Sequence, residues 1–190
     1  IEKYNNTEDQ PKREKHLQRI ISSVEMLSGI LNDFLNLGKI EEGKIKVNFV
    51  SFNYPELIKR IMSEMKNGLK KDQKIFFHHT GKTDINLDAS LLKHITMNLI
   101  SNASKFSLEG SSIEVSTSYL DQQAILSVKD NGIGISEEDK KHLMERFFRG
   151  ANAGNIQGTG LGLHIVSMYV ELMNGSIACK SELERGTEFI

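Results

Sequence analysis

A single cysteine, Cys179, stands in a chain of 190 residues. It has no partner for an internal disulfide, which points away from disulfide-stapled secreted domains and towards a cytoplasmic setting. No apolar run approaches the roughly 18 residues that a membrane helix needs, and no charged-then-apolar leader opens the sequence. These residues are therefore expected to make no membrane contact, whether or not a parent protein is tethered. Charge of one sign is also missing: 24 Lys and Arg against 25 Asp and Glu leave a formal net charge of -1, without the basic footprint of a nucleic-acid binder. Proline is scarce and absent from Lys15 to Glu42, so nothing there interrupts a helix. No internal repeat or low-complexity tract is present. The 38% apolar and 26% charged content is ordinary for a globular protein.

Within the proline-free stretch, Leu17, Ile20, Val24, Leu27, Leu31 and Phe34 recur in steps of three and four. This is a heptad seam, and Ile21, Ile30 and Leu35 widen it. So broad a stripe suits a helix bundle, yet no second long heptad helix follows, so a second copy of the chain is expected to complete it through Leu17–Phe34. Asn5 to Pro11 reads as a loop before this helix and Ile1 to Tyr4 as the tail of an earlier one. Past Gly43 the pattern changes. Strands are expected over Lys44–Phe52 (Ile45, Val47, Phe49), Lys74–His79, Asp84–Leu87, Ser112–Leu120, Ala124–Lys129, Gly175–Lys180 and Thr187–Ile190. Helices are expected after the cap at Asn53, from Asp88 to Phe106, after Ser136, and over Gly162–Met173. The order implies an α+β sandwich, a mixed sheet with helices on one face, preceded by a long helix. The expected domains are 1–43 and 44–190.

Three stretches could carry chemistry. Gly158-Thr-Gly-Leu-Gly-Leu163 places three glycines at alternate positions before a helix, so backbone N–H groups and a helix N-terminus could face a phosphate. It also fits a flexible hinge, and it lacks the lysine of a P-loop. Asp130-Asn-Gly-Ile-Gly-Ile135 ends an apolar strand in a carboxylate and two glycines. It could accept a hydrogen bond from an exocyclic amine, or be a plain turn. Asn98 and Asn102 share one helix face with Lys105 a turn beyond. Two amide oxygens could hold a Mg2+ already neutralised by phosphates, and the lysine could meet a terminal phosphate, or the face could simply be solvated.

In this order the three stretches resemble the N, G1 and G2 boxes of sensor histidine kinases, whose ATP-binding domain has the Bergerat (GHKL) fold. Asn98–Phe106 is similar to the N box, Asp130–Gly134 to G1 and Gly158–Leu163 to G2. Arg185-Gly-Thr187 with Phe189 resembles the last glycine box. Glu145-Arg-Phe-Phe-Arg-Gly150 resembles the F box, with Met144 where the family usually has phenylalanine. Leu31-Asn-Asp-Phe-Leu35 and Lys39–Gly43 resemble the second helix of the dimerisation and phosphotransfer domain.

The resemblance implies ATP and Mg2+ as ligands. It assigns Asp130 to the adenine amine, helped by Thr187 through water, and Asn98 and Asn102 to Mg2+. Lys105 and Phe106 are implied to meet phosphates and ribose. Gly132, Gly134 and Ile135 belong to the base-side turn. Gly158, Thr159, Gly160, Leu161, Gly162 and Leu163 are implied to close over the phosphates, and Arg149 to Gln157 to form a mobile lid that contributes Arg149. Family members that hydrolyse ATP on their own typically carry a glutamate four residues before the magnesium asparagine, as base for water. Asn98 occupies that place here and cannot accept a proton, which favours transfer to a separate nucleophile. The family's acceptor is a histidine followed by an acidic residue. None of His16, His78, His79, His94, His142 and His164 has that neighbour, so the acceptor is expected upstream of Ile1, with a response-regulator receiver domain as the next partner.

Overall fold

The computed structural model describes residues 10–154, 156 and 158–190. The readings of Ile1–Tyr4 and most of the following loop fall outside these residues. The chain divides into two compact units, one ending at Lys44 and the other spanning Ile45–Ile190.

Among its described residues the first unit holds one helix, α1 (Gln10–Glu41). It begins earlier than Lys15 because Pro11 falls in the first turn, where its missing N–H removes no helical hydrogen bond. Gly43, at φ +64°, ends it with its N–H on the Ile40 carbonyl at 2.9 Å, the left-handed stop that glycine makes without steric cost. Leu17, Ile20, Val24, Leu27, Leu31 and Phe34 are all exposed on it.

The second unit is built as β1 (Val50–Asn53), α2 (Tyr54–Met65), β2 (Lys74–Gly81), β3 (Asp84–Leu87), α3 (Ala89–Phe106), β4 (Ser112–Leu120), β5 (Gln123–Asp130), α4 (Glu137–Lys140), α5 (Gly162–Leu172), β6 (Cys179–Glu182) and β7 (Gly186–Phe189). Five strands make a mixed sheet in the order β2-β4-β5-β7-β6. Only β2 and β4 run parallel. Along this sheet Ile113, Val115, Val128 and Phe189 are buried on one face, against α3, while Glu114, Lys129 and Phe76 of the alternate positions are exposed. That alternation is what a sheet covered by helices on one side requires. Helix α3 supplies Leu92, Ile95, Leu99, Ile100 and Ala103 to the core, flanked by Leu57, Ile58 and Ile61 of α2 and by Ile165, Val166 and Tyr169 of α5. Burial pushes the Cys179 thiol up to about 11, so it stays protonated and unreactive at neutral pH.

Two strands differ from expectation. The strand placed over Lys44–Phe52 starts only at Val50, and it pairs with β3 in a separate two-stranded ribbon. Val50 lies opposite Leu87, and the next residue, Asp88, already turns into a helix cap. Ile45, Val47 and Phe49 therefore have no partner strand. The strand expected over Gly175–Lys180 runs instead from Cys179 to Glu182, because the Gly175 N–H is spent on the Val170 carbonyl at the end of α5.

Two caps set the helices. Asn53 Oδ1 accepts the Glu56 N–H at 3.0 Å, with Pro55 in the first turn. Asp88 is buried and accepts three backbone N–H groups: Ser90 at 2.9 Å, Leu91 at 3.0 Å and Asn48 at 2.8 Å. An Asp88→Ala variant leaves those donors unpaired and should lower stability by about 1–2 kcal/mol. Urea melts read this as a lower midpoint at unchanged slope.

Candidate functional site

Helix α3 carries its core side chains at Leu91, Leu92, Ile95, Leu99 and Ala103, which turns Asn98, Asn102 and Lys105 to a half-buried face. The glycine loop of residues 158–162 lies directly across that face. A methyl carbon placed on Gly162 would sit 2.6 Å from Asn98 Oδ1, and one on Gly158 would sit 4.0 Å from Lys105 Nζ. Packing thus brings Asn98 and Lys105 beside the glycine loop, and the approach at Gly162 is one that a side chain there would obstruct. Leu161 is buried as the anchor of the loop, with its N–H on Thr159 Oγ1 at 3.1 Å. Gly162 and Leu163 begin α5, so the first-turn N–H groups of that helix open onto the loop.

Asp130 closes β5 on the buried face of the sheet. Its Oδ1 accepts the Gly132 N–H at 2.7 Å. Burial raises its carboxyl above the ordinary range, against the opposing pull of backbone N–H groups of Gly132 and Thr187. A carboxylate held this way is a strong acceptor with little water around it. Thr187 is its cross-strand partner on β7. The turn after Asp130 packs on the end of α3: the Ile133 N–H donates to the Phe106 carbonyl at 3.2 Å, and a methyl carbon on Gly132 would lie 2.5 Å from that oxygen. Gly134, at φ +66°, leaves no room for a side chain against the Glu182 carbonyl.

Ser181, which the sequence did not single out, binds this corner together. Its Oγ accepts the Ile135 N–H at 2.9 Å and donates to the Gly186 carbonyl at 2.8 Å. With that proton used, Thr187 Oγ1, 2.9 Å away, donates to Ser181. A lone serine in a short edge strand offers no sequence signal for such a role.

The segment between α4 and the glycine loop is tied at several points. Asn152 Nδ2 donates to the Gly134 carbonyl at 2.9 Å, and the Ala151 N–H to Asp139 Oδ2 at 3.2 Å. Arg149 was expected to contact nucleotide. Its guanidinium here donates to the Ala153 carbonyl at 2.8 Å and the Ile156 carbonyl at 2.5 Å, folding its own loop together. Asn155 and Gln157, expected in the lid, lie outside the described residues. Phe147, exposed and at φ +60°, donates its N–H to the Gly160 carbonyl at 3.1 Å. A bulky residue in that left-handed region is strained, a recurrent property of functional loops. His164 ties the same loop to α5. Arg146 Nε–H donates to His164 Nε2 at 3.1 Å, so the ring proton sits on Nδ1 and faces the Met144 carbonyl at 2.8 Å.

A buried acceptor on a strand end, an amide-bearing helix face and a glycine loop at a helix N-terminus together define a site for a nucleotide with a phosphate chain. Residues 87–190 match the model of the histidine kinase-, DNA gyrase B-, and HSP90-like ATPases. The chain belongs to that family, and within it is homologous to sensor histidine kinases. It is 30% identical to the sensor protein kinase PmrB of Pseudomonas aeruginosa over 179 residues, covering 94% of this chain and 37% of PmrB, so it spans under half the length of that relative. Among solved structures it resembles full-length ShkA in complex with AMPPNP, with a TM-score of 0.79 at 24% identity over 94% of this chain and 38% of ShkA. It also resembles the histidine kinase ThkA in complex with the response regulator TrrA, with a TM-score of 0.72 at 22% identity over all of this chain and 52% of that one. These two likenesses show the fold.

Proposed function

We propose that the chain is the ATP-binding catalytic unit of a two-component sensor histidine kinase. It would move the γ-phosphoryl group of Mg-ATP to a histidine outside these 190 residues, for relay to a response-regulator receiver domain. The observation that carries the reading is the placing of the glycine loop against Asn98 and Lys105, with buried Asp130 on the adjoining sheet end.

The residues fit the ligands. Asn98, Asn102 and Lys105 share a half-buried face beside the glycine loop, and buried Asp130 offers a carboxylate acceptor, a donor set that suits a nucleotide with its metal ion. Asp130 would take the adenine amine, with the Thr187 and Ser181 hydroxyls beside it. Asn98 and Asn102 would hold Mg2+, which when bound neutralises phosphate charge and orients the chain of phosphates. Lys105 adds a fixed positive charge, and the N–H groups of Gly158 to Leu163 add oriented donors. Phe106, Gly132, Gly134 and Ile135 would shape the base and ribose side. Asn98, Asn102 and Lys105, the side chains assigned to the metal and phosphates, offer no base for water, and Asn98 in particular cannot take a proton. Catalysis would rest on positioning and charge neutralisation, with the nucleophile brought from elsewhere.

Two partners follow from this reading. The exposed seam from Leu17 to Phe34 suits a second copy of the chain, since six large apolar side chains on one helix lose free energy by staying in water. A receiver domain is supported by the complex of ThkA with TrrA. The unit would act in the cytoplasm. Among the described residues no helix is long and apolar enough to cross a membrane.

Mixing the chain with labelled ATP and a separately supplied cognate acceptor domain should label that domain, while the chain alone stays unlabelled and releases phosphate slowly. An unlabelled acceptor in the presence of demonstrably bound nucleotide would refute transfer and favour a nucleotide-sensing scaffold. Fast phosphate release without acceptor would favour an autonomous ATPase.

A further inference from the structure

Helix α3 ends at Phe106, and the carbonyls of its last turn need donors from outside the helix. Four carbonyls at and just after this end are held by two side chains of one short segment. Lys70 Nζ donates to the Lys105 carbonyl at 2.7 Å and to the Ser107 carbonyl at 2.7 Å. Gln73 Nε2 donates to the Ser104 carbonyl at 3.1 Å and to the Leu108 carbonyl at 3.0 Å. The Phe106 carbonyl takes the Ile133 N–H at 3.2 Å. Gln73 is buried, and its Oε1 accepts Ser104 Oγ–H at 2.6 Å and the Lys70 N–H at 3.0 Å, so the amide is locked in one orientation.

We infer that Lys70 and Gln73 are positioning residues of the nucleotide site, acting through the C-terminal turn of α3. The turn they hold is the one that carries Lys105 and Phe106, and its opposite side is set by the 130–134 turn. The cation at a helix C-terminus also complements the dipole there. Loosening this grip moves the Lys105 ammonium relative to the glycine loop, while Asp130, held by its own strand and the Gly132 N–H, keeps its place. Phe106 keeps its own tie through the Ile133 N–H, so the effect falls mainly on the phosphate end of the ligand. The inference rests on the ATP reading above, with Lys105 facing a terminal phosphate.

Lys70 is exposed, so Lys70→Met should fold as wild type does. Calorimetric titration of wild type, Lys70→Met, Lys70→Arg and Gln73→Glu with Mg-ATP and with Mg-ADP separates the cases. Lys70→Met is expected to weaken ATP binding roughly five- to tenfold and ADP binding less than twofold, the scale of one displaced point charge. Arginine, which can also donate to two carbonyls, should restore the ATP-to-ADP ratio. Gln73→Glu loses both amide donors and should shift the ratio in the same direction. A purely structural role would lower the melting temperature and leave the ratio unchanged, and that result overturns the inference. Wild type that binds neither nucleotide overturns the ATP reading and this inference with it. Wild type that binds ATP alongside a Lys70→Met variant of unaltered ratio overturns the inference alone.

Discussion

Replacing Asp130 with asparagine is expected to weaken ATP binding by about 10- to 100-fold, and at the same time to raise the melting temperature of the nucleotide-free protein. Both effects come from one carboxylate. It is buried at the end of β5 and takes the Gly132 N–H at 2.7 Å. The Thr187 N–H also acts on it, and the proposed adenine amine would donate to the acceptor capacity that remains. An amide of the same shape turns half of that capacity into a donor, so a buried donor meets a donor. Leaving one such group unsatisfied costs about 1–3 kcal/mol, which sets the expected loss.

The stability effect has the opposite sign. Burial raises the folded-state pKa of Asp130. A raised carboxyl stabilises the fold fully only below its unfolded pKa and loses that contribution as pH climbs through the folded value. Once this carboxyl ionises, the ligand-free protein carries a poorly solvated charge there that asparagine removes. The difference in melting temperature between Asp130→Asn and wild type should grow from acid pH towards neutrality. ATP affinity of the wild type should fall on acidification, since the ionised form is the better acceptor. Differential scanning calorimetry across pH, with titration calorimetry on the same samples, tests both signs. A variant that binds ATP as wild type does would remove Asp130 from the base site.

Gly160→Ala should be the most damaging single methyl group in the molecule's working loop. Gly160 sits at φ +72°, a conformation that costs an L-residue about 1–2 kcal/mol. The added Cβ would also lie 2.6 Å from the Phe147 carbonyl carbon and 2.8 Å from the Phe148 oxygen. These are backbone atoms with no rotamer to change, so the loop must shift, at a further cost of about 1–3 kcal/mol. The variant should lose about 2–5 kcal/mol of stability if the loop shifts only locally and keeps its packing. If the loop gives way instead, stability is kept and ATP binding is lost. Either outcome moves one measurement strongly, and a variant unchanged in both urea midpoint and ATP affinity would contradict the loop geometry. Gly162→Ala makes a useful contrast. Its Cβ meets the Asn98 side-chain amide at 2.6 Å, which can swing away, so Mg2+-dependent affinity should suffer more than stability.

Much of this protein was legible in its sequence because the signals are local. The steps of three and four from Leu17 to Phe34 specify a helix with one apolar stripe. The caps at Asn53, Asp88 and Ser136 mark helix starts through bonds spanning two or three residues. Asn98 and Asn102 share a face because a helix repeats every 3.6 residues, and the glycine spacing at 158–162 announces close backbone approach. Each of these is a property of a short window and of backbone sterics.

Tertiary structure alone decided what those windows meet. No pattern in Lys44–Phe52 reveals that a partner strand exists only for Val50–Asn53, since that depends on where β3 stops. Nothing near Ser181 shows that it joins Ile135, Gly186 and Thr187. The same holds for Lys70 and Gln73, which read as ordinary polar residues before a strand and yet hold the end of α3, more than thirty positions away. Hydrogen bonds between distant segments form only after the core has set their separation, and a carbonyl at a helix end accepts any donor that packing brings. The sequence by itself therefore marked which residues are candidates for the proposed nucleotide site. The packing of α3 against the sheet, with the glycine loop laid across it, decided that they stand together.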